Sequence, residues 1–164
     1  MPAEHTPMQL FTIGHSSLPM ADFLDLLRQY HVEVLVDVRT APYSRYCPQF
    51  NRPELERAVE AAGLRYKFAG EALGGKPPDE ELHRADGGPD YDKIKESECY
   101  KDGLRNLVDL AARFRVAIMC SEAAPTRCHR ETLIGRSLRE LGVEVTHIKP
   151  DGSAAPIPQA TLFE

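Results

Sequence analysis

Residues 32–38, VEVLVDV, are the segment that decides the fold. The segment is β-branched and almost entirely apolar, which is typical of an inner strand of a parallel sheet that is covered on both faces. Shorter apolar runs predict four more strands, at residues 10–13, 64–68, 116–120 and 143–148. We therefore expect a sheet of about five strands.

Helical segments alternate with these strands. Pro19 and Pro53 suit the first turns of two helices, and Gly63 ends the second. Further helical segments are predicted at residues 90–100 (broken), 102–113 and 127–141. Such alternation favours right-handed crossovers, and so predicts a single-domain, three-layer α/β fold of the Rossmann-like or flavodoxin-like kind, with a mostly parallel sheet and helices on both faces.

The flanking and connecting segments complete this organisation. We expect an N-terminal extension at residues 1–8, the α/β domain at 9–149 and a proline-containing tail at 150–164. The stretch 69–89, rich in Gly, Pro and charge, is long for a loop in a compact domain, which favours a lid or a binding loop.

Composition limits the functional classes. The 164 residues carry 20 Lys plus Arg against 25 Asp plus Glu, a net charge of -5. This balance argues against a protein that coats nucleic acid, although a local basic pocket remains compatible with it. The four cysteines form neither a secreted disulfide framework nor a CxxC pair. Without a signal-like or membrane-spanning run, we expect a soluble cytoplasmic protein with no membrane partner, whose oligomeric state the sequence does not set.

Polar side chains follow three of the predicted strands. They are Gly14-His15-Ser16, then Asp37-Val38-Arg39 with Ser44-Arg45, and finally the run from Cys120 to Arg130. Ligands of open α/β sheets bind beyond the carboxyl ends of the strands. The three groups therefore predict one composite site for a small anionic or phosphate-bearing ligand.

Positive charge at the start of the last helix supports anion recognition. Arg127 and Arg130 lie where a helix prefers negative charge, and such placement costs stability unless an anion is bound. Arg39 and Arg45 are candidates for a clamp on a phosphate or carboxylate, with Ser44 as a small donor. Alternatively, Asp37 and Arg39 brace the loop.

Several side chains are candidates for the chemistry. Glu122, His15 and His129 are interpreted as groups for proton transfer. Cys128 is a candidate nucleophile, because a helix start beside His129 and Arg130 favours a thiolate; a structural role is an equal alternative. Cys120 is interpreted as a buried small hydrophobe.

Other interpretations carry less weight. Ser16 is a candidate substrate contact, but with Ser17 it could instead cap the following helix. The spacing from Cys120 to Arg127 is one residue too long for a protein phosphatase loop. Zinc held by Cys120, Cys128 and His129, with Cys47 or His15, would fit no standard ligand spacing, so no metal or cofactor is predicted.

The same groups resemble the family known as domain of unknown function 488. The matching pieces are Thr12-Ile13-Gly14-His15-Ser16, Val36-Asp37-Val38-Arg39 with Pro42 and Ser44-Arg45, Leu73-Gly74-Gly75, and Met119-Cys120 with Glu122, Pro125 and Cys128-His129-Arg130. The resemblance implies an α/β fold of bacterial or archaeal type. It supports the location of the site without naming a substrate.

Three functions follow as expectations. The first is a hydrolase or group transferase acting on a nucleotide, a nucleoside derivative or a nucleic-acid end. The second is a non-catalytic module that binds a nucleotide or another anion, or associates with nucleic acid, although the net charge does not support extended nucleic-acid binding. The third is a thiol- or metal-dependent protein that uses Cys120, Cys128 and His129.

Overall fold

The sheet of the computed structural model, which describes residues 8–122 and 128–156, has the predicted parallel core. Its five parallel strands are β1 (Gln9–Gly14), β2 (Val34–Asp37), β3 (Arg65–Phe68), β4 (Val116–Cys120) and β5 (Glu144–Ile148). Their order across the sheet is β3-β2-β4-β1-β5. A sixth strand, β6 (Ala154–Pro156), pairs antiparallel with β5, so the sheet continues into the segment predicted as a tail.

Helices cover both faces of the sheet. They are α1 (Met20–Gln29), α2 (Arg52–Ala61), α3 (Gly70–Leu73), α4 (Tyr91–Glu96), α5 (Glu98–Ala111) and α6 (Arg136–Glu140), with short 3₁₀ turns at Pro48–Phe50 and Glu80–Leu82. Helices α1 and α2 pack against one face, and α3 to α6 pack against the other. The single-domain, three-layer α/β prediction is confirmed.

Capping differs from the predictions at the starts of two helices. The side chain of Ser97 accepts a hydrogen bond from the Tyr100 N–H, so α5 begins at Glu98 and not at residue 102. Helix α1 begins after Pro19 with no side-chain cap. The interpretation of Ser16 and Ser17 as its caps is therefore wrong.

The last helical segment also departs from a regular helix. Arg130–Gly135 form a π-helical segment that leads directly into α6. Arg130 and Glu131 are both buried, although they are neighbours in the chain. Their polar contacts with the sheet, described below, hold the conformation of this segment. The spacing of apolar residues in the sequence does not indicate these contacts. Segments of this kind are rare and concentrate at functional sites.

The strand order positions the functional site. The chain leaves β1 towards β2 and leaves β4 towards β5, in opposite directions, although β1 and β4 are neighbours. Such a reversal opens a crevice at the carboxyl ends of the two strands. Backbone pairing continues past these ends, because the His15 N–H donates to the Cys120 carbonyl oxygen at 2.9 Å and the Ser16 N–H to the Ser121 carbonyl oxygen at 3.0 Å.

A helix that crosses a membrane must be both long and apolar. Over residues 8–122 and 128–156, no helix combines the length and the apolar character needed to cross a bilayer.

Candidate functional site

A cavity of about 660 Å³ opens at the carboxyl ends of β1, β2 and β4. It brings together members of all three predicted groups: His15, Ser16, Arg39, Ser44, Cys120, Glu122, Cys128 and His129. Asp37, Arg45 and Arg130 are not among the residues that line it. The predicted contact from Arg127 lies outside the part of the chain that the structure describes.

Asp37 holds Arg39 in place at the end of β2. The Arg39 Nη2 donates to Asp37 Oδ2 at 2.7 Å and the Nε donates to Oδ1 at 2.9 Å. The Tyr66 hydroxyl donates to the same Oδ2 at 2.7 Å, and Arg39 Nη2 also donates to the Phe50 carbonyl oxygen at 2.8 Å. The carboxylate is fully buried. Asp37 therefore acts on the cavity through Arg39, and Tyr66 helps to hold the carboxylate.

His15 is held as a neutral imidazole. Its Nδ1 lies 2.7 Å from the Ser16 carbonyl oxygen, which can only accept, so the proton is on Nδ1. Nε2 is then the acceptor and lies 3.4 Å from Arg39 Nη1. The ring stacks on Phe50, with centroids 4.4 Å apart. Burial lowers the pKa of His15; the hydrogen bond to Ser16 opposes this shift, and the Arg39 charge adds to it.

Gly14 permits the close approach of β1 to the loop after β4. A Cβ atom at this position would lie 1.7 Å from the Glu122 carbonyl oxygen and 2.7 Å from Arg130 Nη1. No side chain fits there. The next residue but one, Ser16, has a φ of 47°, which is uncommon for a residue other than glycine. The backbone conformation after β1 therefore follows from its contacts in the site and not from the start of helix α1.

Arg130 is a fully buried guanidinium beneath the cavity. Its Nη1 donates to Cys120 Sγ at 2.8 Å and to the Glu122 carbonyl oxygen, and its Nε donates to Thr12 Oγ1 at 3.2 Å. Burial lowers the pKa of Arg130 to about 10, and the negative charge of Glu122 acts in the opposite direction. The group remains cationic at neutral pH. Its charge is directed at a cysteine sulfur.

A buried polar network that the sequence did not reveal holds Arg130. The Glu131 carboxylate only accepts, so His147 Nε2 donates to Glu131 Oε1 at 3.2 Å. Nδ1 of the neutral His147 ring then accepts from the Thr12 hydroxyl, which itself accepts from Arg130 Nε. Arg139 Nη1 donates to Glu131 Oε2 at 2.8 Å. Burial alone would raise the pKa of Glu131, but the bonds from His147 and Arg139 outweigh it, so this pKa is lowered.

One signal for this network is present in the sequence. Thr12 and His147 are polar residues within predicted inner strands, and both are buried. They are register partners in the parallel pair of β1 and β5. Only the strand order brings them together.

His129 faces both the backbone of β2 and a cysteine. Its Nε2 lies 2.9 Å from the Val38 carbonyl oxygen, and its Nδ1 lies 3.7 Å from Cys128 Sγ. Burial lowers its pKa, the hydrogen bonds to the Val38 and Leu73 backbone oppose the shift, and the charge of Arg130 adds to it. The arrangement provides a neutral base beside a thiol.

Cys120 and Cys128 meet at the floor of the cavity. The Sγ atoms of the two side chains are in direct contact, whereas Cys47 and Cys99 lie apart from this pair. Both paired cysteines are buried, at 2% and 6% exposure. Cys120 is therefore more than the small buried hydrophobe predicted from its strand, because its sulfur contacts both Cys128 and Arg130.

The loop after β2 forms one rim of the cavity. The Ser44 hydroxyl accepts hydrogen bonds from the Tyr46 N–H at 3.1 Å and the Cys47 N–H at 3.3 Å, so it orders this turn. Tyr43 lines the cavity and is 64% exposed. Tyr46 is 88% exposed and, like Arg45, lies outside the lining.

The Gly-rich segment forms the opposite rim. A Cβ at Gly74 would lie 2.4 Å from Thr40 Oγ1, and a Cβ at Gly75 would lie 2.9 Å from His129 Cγ. These glycines permit close packing against the site. The following residue, Lys76, lines the cavity and donates from its backbone N–H to Thr40 Oγ1 at 3.0 Å.

The cavity also contains a negatively charged side chain. Glu122 is exposed and lines the cavity, so a carboxylate faces the space that Arg39 and Lys76 also border. Within the described parts of the chain, no cluster of three or more His, Cys, Asp or Glu could hold a metal ion.

The Cys47 Sγ donates to the Ser16 carbonyl oxygen at 3.4 Å.

Comparison with known proteins gives one match. A family model described as domain of unknown function DUF488 matches residues 19–136, well over half of the chain. The chain belongs to the DUF488 family. No curated protein and no solved structure matches it.

The DUF488 match covers most of the cavity. It includes the loop after β2, the Leu73-Gly74-Gly75 turn and the run from Cys120 to Arg130. The His15 segment after β1 lies before the matched range. It joins the site through the backbone bonds to Cys120 and Ser121.

Proposed function

We propose that this chain is a hydrolase or group transferase that acts on a phosphate-bearing substrate, such as a nucleotide, a nucleoside derivative or a nucleic-acid end. The reaction would take place in the cavity at the carboxyl ends of β1, β2 and β4. The observation that carries the proposal is that one cavity contains cationic, proton-transferring and thiol side chains together.

Cationic groups supply the anion-binding side. Arg39 and Lys76 line the cavity. Asp37, Tyr66 and the Phe50 carbonyl fix the surroundings of the Arg39 guanidinium, so its charge needs little reorganisation when an anion enters. The predicted clamp partner, Arg45, is exposed on the rim, where it can meet a ligand that extends out of the cavity.

Proton transfer is assigned to the groups that face the cavity. Glu122 supplies a carboxylate, and His15 and His129 are imidazoles whose pKa values burial lowers. A neutral imidazole accepts a proton at neutral pH. Cys128 stands beside His129 Nδ1 and is the candidate nucleophile.

An exposed aromatic ring favours a nucleobase on the substrate. Tyr43 lines the cavity with 64% of its surface exposed. Base stacking on such a ring stabilises binding by about 1–3 kcal/mol without sequence preference. The net charge of -5 opposes long nucleic acids, which favours a mononucleotide or a strand end.

Turnover of a nucleotide panel tests the proposal. The reduced full chain is incubated with nucleoside mono-, di- and triphosphates and short oligonucleotides, and products are identified by liquid chromatography with mass spectrometry. We expect a product with the native protein, and its loss in Glu122→Gln. Glu60→Gln, an exposed glutamate on α2, is the matched control. Equal turnover in Glu122→Gln and the native protein would contradict the assignment of Glu122.

A non-catalytic binding module is the alternative. The pairing of Asp37, Arg39 and Tyr66 gives a rigid anion-facing wall, which a sensor also requires. This alternative predicts that a nucleotide raises the melting temperature while no product forms. Stabilisation accompanied by product supports the enzyme.

A further inference from the structure

Two of the four cysteines meet inside the cavity, although they belong to different elements. Cys120 ends β4, and Cys128 precedes the π-helical segment, eight positions later. Their sulfurs are in direct contact, and both residues line the cavity despite their low exposure. A small molecule that enters the cavity therefore reaches the pair.

Each sulfur has a neighbour that promotes thiol chemistry. Arg130 Nη1 donates to Cys120 Sγ at 2.8 Å, and a buried cation at this distance stabilises a thiolate. His129 Nδ1 faces Cys128 Sγ at 3.7 Å and can take the proton of that thiol. The reduced pair thus has a cation on one side and a base on the other. Oxidant-sensitive cysteines are found in such surroundings, next to a second, resolving cysteine.

We propose that Cys120 and Cys128 form a reversible thiol–disulfide couple whose oxidant is hydrogen peroxide. The Cys128 thiolate attacks one peroxide oxygen, which breaks the O–O bond and leaves a sulfenic acid on Cys128 and one hydroxide. The Cys120 thiolate then attacks the Cys128 sulfur, forms the S–S bond and expels the second oxygen as hydroxide. With the two thiol protons, the products are one disulfide and two waters. An external dithiol returns both electrons and restores the thiols.

Oxidation would also switch off the site. This consequence rests on the proposed function, because it assumes that Cys128 is the nucleophile. The disulfide removes that thiolate and ties the end of β4 to Cys128, two residues before the π-helical segment, across the chain that carries Glu122. The couple itself does not depend on any catalytic role, and so it is tested separately.

Thiol counting on the full native chain tests the couple directly. The protein is reduced with dithiothreitol, desalted, treated with one equivalent of hydrogen peroxide, denatured and alkylated with iodoacetamide. We expect the alkylated thiols to fall from four to two, with the remaining labels on Cys47 and Cys99, and a second reduction to restore all four. Peptide mapping should recover Cys120 linked to Cys128. Sulfinic acid on Cys128 with Cys120 still alkylated, or links only through Cys99, would overturn the proposal.

Two variants separate the steps. In Cys120→Ser, peroxide should leave Cys128 as a sulfenic acid, which a cyclic 1,3-diketone traps as a stable adduct. Cys99→Ser, which removes an exposed free cysteine, should behave like the native chain. If Cys120→Ser does not fold, the count on the native protein decides alone. If the thiol–disulfide couple forms but the protein turns over no nucleotide, the proposed function is rejected and the proposal of the couple stands.

Discussion

His129 donates from Nε2 to the Val38 carbonyl oxygen and thereby directs Nδ1 at the sulfur of Cys128. A carbonyl oxygen only accepts, so the neutral ring carries its proton on Nε2 and its lone pair on Nδ1. The backbone of β2 thus selects the tautomer that can serve as a base for the thiol, which lies 3.7 Å away. A nucleophile, a base and a group that orients the base are the elements of an activated cysteine.

Replacing His129 should slow the reaction of Cys128. In reduced His129→Gln, we expect iodoacetamide to alkylate Cys128 roughly tenfold more slowly at pH 7, because glutamine cannot accept the thiol proton. The rate is followed by the mass of the Cys128 peptide. His31→Asn, at an exposed histidine with a φ of 56°, is the control. Equal rates in His129→Gln and the native chain would remove His129 as the base.

Stability should fall on acidification below about pH 6.5. Burial lowers the pKa values of His15 and His129 from 6.5, so the unfolded chain binds these protons at a higher pH than the folded one. The free energy of unfolding therefore loses nothing to these two rings above pH 6.5. It decreases as the pH falls from 6.5 towards the lower pKa values of the folded state. Urea unfolding between pH 7.5 and 5 measures it. His15→Gln should flatten the decrease, and a native profile without any decrease would contradict the account.

Loss of Asp37 should strongly destabilise the fold. Asp37→Ala leaves the guanidinium of Arg39, itself 7% exposed, without its counter-charge, at an expected cost of about 3–5 kcal/mol. Asp25→Ala breaks an exposed pair with Arg28 and should change little. Urea unfolding at pH 7 compares the two. Similar small losses in both variants would show that the buried pair is not needed for stability.

Gly14→Ala should disturb the site and the fold together. The new Cβ would meet the Glu122 carbonyl oxygen, so the strand ends must separate, at an expected cost of about 1–3 kcal/mol. Gly88→Ala is the control, because its nearest atom is the flexible end of Arg84. Thermal unfolding measures both. A Gly14→Ala variant as stable as Gly88→Ala would contradict the close approach.

Tyr43 should contribute to nucleotide affinity. Under the proposed function, Tyr43→Ala weakens binding of a nucleoside monophosphate by about 1–3 kcal/mol, the range for one stacked base. Tyr46→Ala removes a still more exposed ring that lies outside the cavity lining and should leave affinity unchanged. Calorimetric titration compares them. Equal losses would assign the effect to the loop as a whole.

Patterns within single segments predicted much of this structure. The VEVLVDV run predicted an inner strand because periodicity and branching report burial on both faces, and that strand is β2. The carboxyl ends of parallel strands share one edge, so His15, Arg39 and Glu122 could be expected near one another before their contacts were known.

Relationships between segments were not predictable in the same way. The sulfur contact of Cys120 and the register of Thr12 with His147 depend on which strands are neighbours. Apolar spacing reports which face of a strand is buried and carries no information about its neighbours. The π-helical segment was not predicted for a related reason: the contacts that hold Arg130 and Glu131 come from strands that are distant in the sequence.

The position of β4 has a consequence for synthesis on the ribosome. Strand β1 pairs with β4 and β5, and both of these are made after β2 and β3. A nascent chain that ends before Val116 can therefore pair β2 with β3, but its first strand has no native neighbour. The apolar side chains of Leu10, Phe11 and Ile13 then stay without their native cover, which makes this strand prone to aggregation until β4 is made. Arrival of β4 inserts the missing neighbour and brings Cys120 to His15 in the same event.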